Sequence, residues 1–309
     1  MYLDKSNCNS FFYKYVNFVD KISSFFKYED NIRHLLYLIV PAFVLKYGIS
    51  NESVILKCFE STKIYVSGTE ERMVTAYFSR NIKKENNNYY TSKYIVLNEY
   101  KKASFTNLID SIVHEFNHAV NSFNNEIKCD DKIICLRTGV SYMIYDKETL
   151  KFLRKSSDVY LEEIINTQQS EEIINIINSF NLLDVENVEL SNMLYVLKNE
   201  IKNDKYKSNS YSFQSYICKE LMQNKTFLPT ISKLRFKGFV DNISDLFDDI
   251  IGKKGSYNHM CRLLEEIFNL ELKYINSKFF KKGYLAIIRK KALEVISIIS
   301  DYDNKCIYK

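Results

Sequence analysis

The sequence predicts an α+β protein, in which a small mixed sheet and one helix are followed by a mainly helical C-terminal part. Only 2 Pro and 7 Gly occur in 309 residues, too few for the many tight turns of an all-β sandwich or barrel. β-Branched and aromatic residues concentrate between residues 63 and 100, as in strands. From residue 157 onward, apolar residues recur mostly at helical spacing.

Composition and charge restrict the class of protein. A hydrophobic content of 46% with 26% charged residues is typical of a globular domain. The net charge of +5 is spread along the chain, and the absence of a basic stripe predicts no nucleic-acid partner. The most apolar stretch, residues 35–45, is far shorter than the ~20 residues of a membrane span, so we expect none.

Cysteine usage indicates the compartment. The seven cysteines are scattered, odd in number and free of any C-x-x-C pair. A disulfide framework would require paired and more regular spacings. We therefore expect reduced thiols and a cytoplasmic protein.

Three segments are predicted along the chain. Residues 1–50 form an N-terminal helical segment packed on the core, with helices at 8–27 and 30–48, the second bent or divided near Pro41. Residues 51–125 carry the sheet and one helix. Residues 126–309 form a helical subdomain.

The predicted elements follow from the local patterns. Strands are expected at 63–68, 73–79 and 89–100, separated by turn-prone Gly68 and the Asn86–Asn88 run. A helix from about residue 106 has an apolar stripe. Its members are Leu108, Ile109, Ile112, Val113, Phe116 and Val120. Later helices are expected at 158–178, 187–202, 211–223, 240–251, 256–275 and 280–300.

The stretch "HEFNH" within this helix carries the chemistry. His114 and His118, half of the chain's four histidines, stand four residues apart. On an α-helix they differ by about 40° in direction and ~6 Å in height, so both rings can reach a zinc ion at ~2.0–2.1 Å. Glu115 is rotated by about 100° from His114. It would therefore stand beside the metal, where it can take a proton from a metal-bound water.

With this motif on a helix, the sequence resembles the zincin metallopeptidases. The resemblance covers roughly residues 60–180 and is sharp only in the five-residue motif. It implies Zn²⁺ held by His114, His118 and a third ligand further along the chain, with Glu115 as the catalytic general base. One zincin branch has H-E-x-x-H-x-x-G-x-x-H, but here Asn121 and Asn124 replace its Gly and third His. That branch is excluded.

The other branch, the gluzincins, takes its third ligand from a glutamate on a following helix. Aligning "EEIINT" with their N-E-x-x-T-E pattern sets Glu163 on the ligand position and Glu162 on the Asn position. Glu162 remains the alternative ligand. Thr167 replaces the usual second acid, so Glu171 or Glu172 becomes the candidate acceptor for a ligand imidazole.

Two residues near the start of a later helix are candidate oxyanion stabilisers. These are His259 and Tyr257, in "GSYNHMCRLL". The resemblance suggests them, because some zincins use a late His or Tyr in this role.

The resemblance implies a zinc metallopeptidase that hydrolyses a peptide or protein substrate. Zinc would be bound by His114, His118 and Glu163, with a water in the open fourth position. The substrate is expected to lie extended beside an edge strand at 94–100. The alternative is a regulatory protein that keeps a zincin scaffold and acts on a single protein partner, with little or no general proteolysis.

Overall fold

A computed structural model describes residues 5–67, 76–86, 88–98, 105–180, 192, 195–196, 226–277 and 280–307. The helices within them are α1 (Lys5–Phe26), α2 (Asp30–Tyr47), α3 (Glu52–Ser61), α4 (Phe105–Ser122), α5 (Val159–Ser179), α6 (Phe227–Lys237), α7 (Ile243–Ile251), α8 (Ser256–Asn276) and α9 (Lys281–Ile307). The strands are β1 (Thr62–Val66), β2 (Ala76–Glu85), β3 (Asn88–Leu97), β4 (Ile127–Cys129), β5 (Ile133–Thr138), β6 (Ser141–Asp146) and β7 (Phe152–Lys155). The predicted α+β class is confirmed.

The chain divides into two compact units. The first contains residues 1–120 and 169–207, and the second contains residues 121–168 and 208–309. Both α4 and α5 are continuous helices that contribute residues to each unit.

The first unit contains a three-stranded mixed sheet in the order β1-β3-β2. β1 pairs with β3 in parallel, and β2 pairs with β3 in an antiparallel hairpin closed by Glu85 and Asn88. Asn86 in the turn has φ 49°, a left-handed conformation that Asn tolerates better than most residues. Asn86 therefore lies in a turn where the sequence predicted one.

The prediction that residues 94–100 form an edge strand is wrong. β3, which contains most of the stretch expected at the edge, is paired on both sides and lies at the centre of this sheet. Three consecutive side chains, Ile95, Val96 and Leu97, are buried, as expected of a strand covered on both faces. β2 has mostly half-buried and exposed residues and forms an edge among the described strands.

Helix α2 lies mostly in the interior of the first unit. Eleven of its residues are buried, and the helix runs as one segment through Pro41 rather than dividing there. In the described part of the chain no single helix is long and apolar enough to cross a membrane. α2 and residues 49–61 taken together have the length and composition of a membrane span, but this pair of helical segments is bent by 110°.

The helix that carries the motif has the predicted stripe. All six predicted apolar residues of α4, from Leu108 to Val120, are buried, together with Ala119. Phe116 stacks on Phe59 of α3 with ring centroids 4.2 Å apart. This apolar face fixes the rotation of α4 about its axis, and with it the directions of the motif side chains.

The second unit contains a four-stranded antiparallel sheet, β4-β5-β6-β7, that the sequence analysis did not predict. It occupies residues 127–155, inside the segment expected to be helical. Its strands are only three to six residues long and mix apolar with charged residues, so their period-two pattern is weak. The prediction for 126–309 is therefore corrected to a short sheet followed by helices.

Helices α5 to α9 confirm most of the helical prediction. α5, α7, α8 and α9 correspond to the segments expected at 158–178, 240–251, 256–275 and 280–300. The segment 211–223 lies outside the described residues, as does 187–202 apart from residues 192, 195 and 196. An aromatic cluster joins α6, α7, α8 and α9 through Phe227, Phe247, Tyr257 and Tyr302.

A buried ion pair lies beside this core. Arg235 of α6 has no solvent exposure, and its guanidinium binds the carboxylate of Glu162, which is 1% exposed. The Glu162 carboxylate also accepts the backbone N–H of Val140 at 2.8 Å. Gly139, in the β5–β6 turn, has φ 59°, and a Cβ at this position would overlap the same carboxylate.

Gly139→Ala should lower the free energy of unfolding by about 3 kcal/mol, because a left-handed backbone penalty adds to an overlap with a carboxylate that Arg235 holds in place. Gly252→Ala is the matched control. Gly252 has φ 71° and open space around its Cβ position, so only the backbone penalty of about 1 kcal/mol applies. Denaturant unfolding of both variants measures the difference, and equal losses would contradict the packing described here.

Candidate metal centre

The two motif histidines face the same side of α4. The ring centroids of His114 and His118 are 5.0 Å apart, with the ring planes at 81°. His118 is buried and His114 is half-buried. The two rings are therefore neighbours on one side of the helix, as the spacing of the motif predicts.

A carboxylate completes a group of three. His114, His118 and Glu163 each offer one ligand atom, and these atoms all lie within 4.8 Å of one another. In a tetrahedral zinc site with ~2.1 Å bonds, ligand atoms are roughly 3.4 Å apart, so small side-chain rotations would suffice. Two imidazoles with one carboxylate form a ligand set that suits zinc. Among the described residues, no other group of three His, Cys, Asp or Glu side chains meets this criterion.

The structure distinguishes the two adjacent glutamates. The carboxylate of Glu162 is engaged by Arg235 and by the Val140 N–H, whereas Glu163 lies with the histidines. Successive helical residues differ by about 100° in direction, which sends the two carboxylates to different sides of α5. The sequence left this choice open between them, and the geometry favours Glu163.

The predicted general base is held against the sheet. Glu115 is 9% exposed, and its Oε2 accepts the backbone N–H of Phe78 at 2.7 Å. Phe78 lies on β2, and its hydrogen bond to Glu115 directs this N–H toward α4. The outer edge of β2 therefore reaches the carboxylate next to the two motif histidines.

A polar network that the sequence analysis missed connects α2, α4 and α5. Tyr47 donates its hydroxyl to Asn117 Oδ1, and Asn117 Nδ2 donates to Gln169 Oε1 at 3.4 Å. Asn117 and Gln169 are both buried. Asn117 stands between the two motif histidines in sequence, so the network fixes α4 beside α5 at the motif. The sequence feature that could have indicated this network is Asn117, an uncharged amide among the apolar residues of α4.

The part of α5 after Glu163 contains the positions predicted to replace the second acid of the gluzincin pattern. Thr167, which stands where the gluzincin pattern has an acid, is buried. Glu172 forms an ion pair with Lys46 of α2, so its carboxylate serves the helix packing. The predicted role of Glu171 or Glu172 as acceptor for an imidazole stays a prediction.

The two candidate oxyanion residues have defined partners in the second unit. His259 lies near the surface of α8, where its Nε2 lies 2.8 Å from Glu294 Oε1 and its Nδ1 lies 3.1 Å from Arg262 Nη2. Tyr257 is buried and donates its hydroxyl to Asp158 Oδ2 at 3.2 Å. These contacts support packing of α8, and the oxyanion role stays a prediction.

Asp158 is a buried acid at the start of α5. Its backbone carbonyl accepts the Glu162 N–H at 2.9 Å, which begins the helix that carries Glu163. Burial raises the pKa of this carboxyl, the Ser156 and Tyr257 hydroxyls oppose the rise, and the negative charge of Glu162 adds to it. The folded protein therefore holds this proton more tightly than the unfolded chain does.

Asp158→Asn should increase stability at pH 7. Because the pKa of Asp158 is raised on folding, its ionisation destabilises the fold as pH rises above the unfolded value of ~3.9. The neutral amide removes that penalty and can still accept from Tyr257. The gain, measured by denaturant unfolding, should shrink toward pH 4.

Asp146→Asn is the control of opposite sign. The pKa of Asp146 is lowered by the hydroxyl and backbone N–H of Thr149, so its ionised form stabilises the fold above the unfolded pKa. This variant should be less stable at neutral pH, with the loss vanishing in acid. A stability gain from Asp146→Asn, or none from Asp158→Asn, would refute the assigned environments.

Metal analysis tests the ligand set. We expect about one Zn²⁺ per chain, and we expect His118→Ala or Glu163→Gln to weaken zinc binding more than ~100-fold, beyond the 10–100-fold typical of outer-sphere residues. His259→Ala is the matched control, because this histidine is paired with Glu294 on the surface. Competition with a chromophoric chelator gives the affinities. Equal zinc affinity in His118→Ala and wild type would exclude this site.

Comparison with known proteins assigns this chain to no family. The chain matches no family model, no curated protein and no solved structure. The case for a metal centre therefore rests on the motif and on the geometry of the three side chains.

Proposed function

We propose that this protein is a zinc-dependent peptide hydrolase, with His114, His118 and Glu163 as metal ligands and Glu115 as the general base. The observation that carries the proposal is the convergence of the three ligand atoms within 4.8 Å. The motif alone predicts two of these ligands, and the third comes from a helix more than forty residues later. The donor set is the one used by zinc peptidases with two histidines and a glutamate.

Each residue would have a defined task. When bound, zinc would act as a Lewis acid on the scissile carbonyl and lower the pKa of water at the site. The carboxylate of Glu115 would accept a proton from the attacking water and then deliver it to the leaving amine. The Phe78 N–H bond to Glu115 Oε2 would keep this carboxylate oriented toward the site.

The outer edge of β2 is the proposed substrate surface, in place of the strand expected from the sequence. Among the described strands, β2 has β3 on one side only, so its other side offers backbone groups to an added strand. Its Phe78 N–H lies at Glu115, which would bring an extended peptide beside the general base. Peptides commonly bind by adding a strand in this way.

Glu115→Gln tests the general base. The variant should keep its zinc affinity within a few fold, because Glu115 is not among the three ligands. Its hydrolysis of denatured casein or a quenched peptide library should fall by about 10²–10⁴-fold. Glu148→Gln is the control, because Glu148 is exposed in the turn before β7; it should hydrolyse at the wild-type rate.

Two results would contradict this proposal in different ways. Full hydrolysis by Glu115→Gln would remove the assigned base. A zinc-loaded wild type that cleaves neither substrate would argue for the alternative, a regulatory protein that acts on one partner.

A further inference from the structure

We propose that Arg235 is a positioning residue for the metal site: it holds Glu162 so that the adjacent Glu163 presents its carboxylate to the two histidines. The inference rests on the proposed zinc site. It concerns a residue far from the motif in sequence, on α6, a helix that was not among those predicted from the sequence.

Arg235 contacts two successive turns of α5. Its Nε donates to Glu162 Oε2 at 2.8 Å, and its Nη2 binds Glu162 Oε1 and donates to Asn166 Oδ1 at 2.7 Å. Glu162 and Asn166 are four residues apart and therefore share one face of the helix. Glu163 lies between them in sequence, so a planar guanidinium that binds both fixes the rotation of α5 at the proposed ligand.

The other side of the Glu162 carboxylate is also fixed. Its Oε2 accepts the Val140 N–H, and the Gly139 position leaves no room for a Cβ against it. Arg137 joins the same region, because its Nη1 donates to the carbonyl of Gly139 at 2.5 Å and to that of Arg235 at 3.3 Å. The β5–β6 turn, α6 and the first turns of α5 therefore form one hydrogen-bonded cluster.

The energetics favour a positioning role over a stabilising one. A buried ion pair is commonly no more stabilising than apolar residues of the same volume, because both charges lose their hydration. Arg235 also occupies the buried stripe of α6 with Phe227, Leu228 and Ile231, where an apolar side chain would pack without that loss. What the ion pair adds is a fixed geometry and a neutralised Glu162, which cannot then compete with Glu163 for the metal.

The test compares zinc affinity with the stability of the metal-free protein. In the double variant Glu162→Gln with Arg235→Met, the Gln oxygen can still accept from Val140 and the Met fills the volume. We expect the metal-free unfolding midpoint to stay within a few degrees of wild type. Zinc affinity should fall by about 10–100-fold, as for other residues that orient metal ligands. The visible absorption of the Co²⁺-substituted protein should also change, because the ligand geometry changes.

A second comparison separates positioning from a general loss of structure. If the pair acts through Glu163, adding the double variant to a Glu163→Gln background should change zinc affinity by less than about twofold. An equal loss in both backgrounds, or unchanged affinity of the double variant with Glu163 present, would overturn the inference.

Arg235→Lys provides the same test should the double variant fail to fold. It keeps the charge but has no planar fork to hold Glu162 and Asn166 together, so the same loss of zinc affinity is expected and wild-type affinity would overturn the inference. Failure of the proposed metal site is distinguishable, because the wild-type chain itself would then bind no zinc. Failure of hydrolysis alone leaves the comparison of zinc affinities unchanged.

Discussion

Burial of polar side chains along α5 is the constraint on which the candidate site depends. This helix buries six polar residues within three turns: Glu162, Asn166, Thr167, Gln168, Gln169 and Ser170. A buried polar group without a hydrogen bond costs about 1–3 kcal/mol, so such a helix must be placed where partners exist. Arg235 and the Val140 N–H donate hydrogen bonds to Glu162, and Asn117 donates one to Gln169. These directional contacts fix the rotation of α5 more narrowly than an apolar stripe does.

Two neighbouring glutamates acquire different roles from this rotation. Glu162 and Glu163 have the same chemistry, yet one is neutralised by an arginine and the other lies with two imidazoles. The difference comes from the 100° step of the helix and from which elements stand on each side. α6 supplies the cation for one carboxylate, and the motif helix α4 supplies the histidines for the other.

The sequence predicted the parts of the fold that depend on local patterns. The apolar stripe of α4 and the spacing of His114 and His118 are periodic features, and both are confirmed. The candidate third ligand was one of two adjacent acids, Glu162 and Glu163, and only their partners from distant parts of the chain distinguish them. Arg235 could have been suspected as a charge within an apolar stripe, but its partner lies 73 residues away.

The errors in the sheets also have a physical cause. β3 was expected at an edge because it leads toward the motif helix, whereas its run of buried Ile95, Val96 and Leu97 is the pattern of a central strand. The second sheet was missed because its strands are too short for period-two alternation to stand out. In both cases strand order depends on contacts that no local window contains.

The proposed ligands lie far apart along the chain, so a bound ion would affect the stability of the fold. His118 and Glu163 are 45 residues apart, so a cation shared by them would close that segment into a loop, much as a crosslink does. The segment includes all four strands of the second sheet. Since an ion bound only by the native fold stabilises it by mass action, removing such an ion with a chelator would lower the free energy of unfolding.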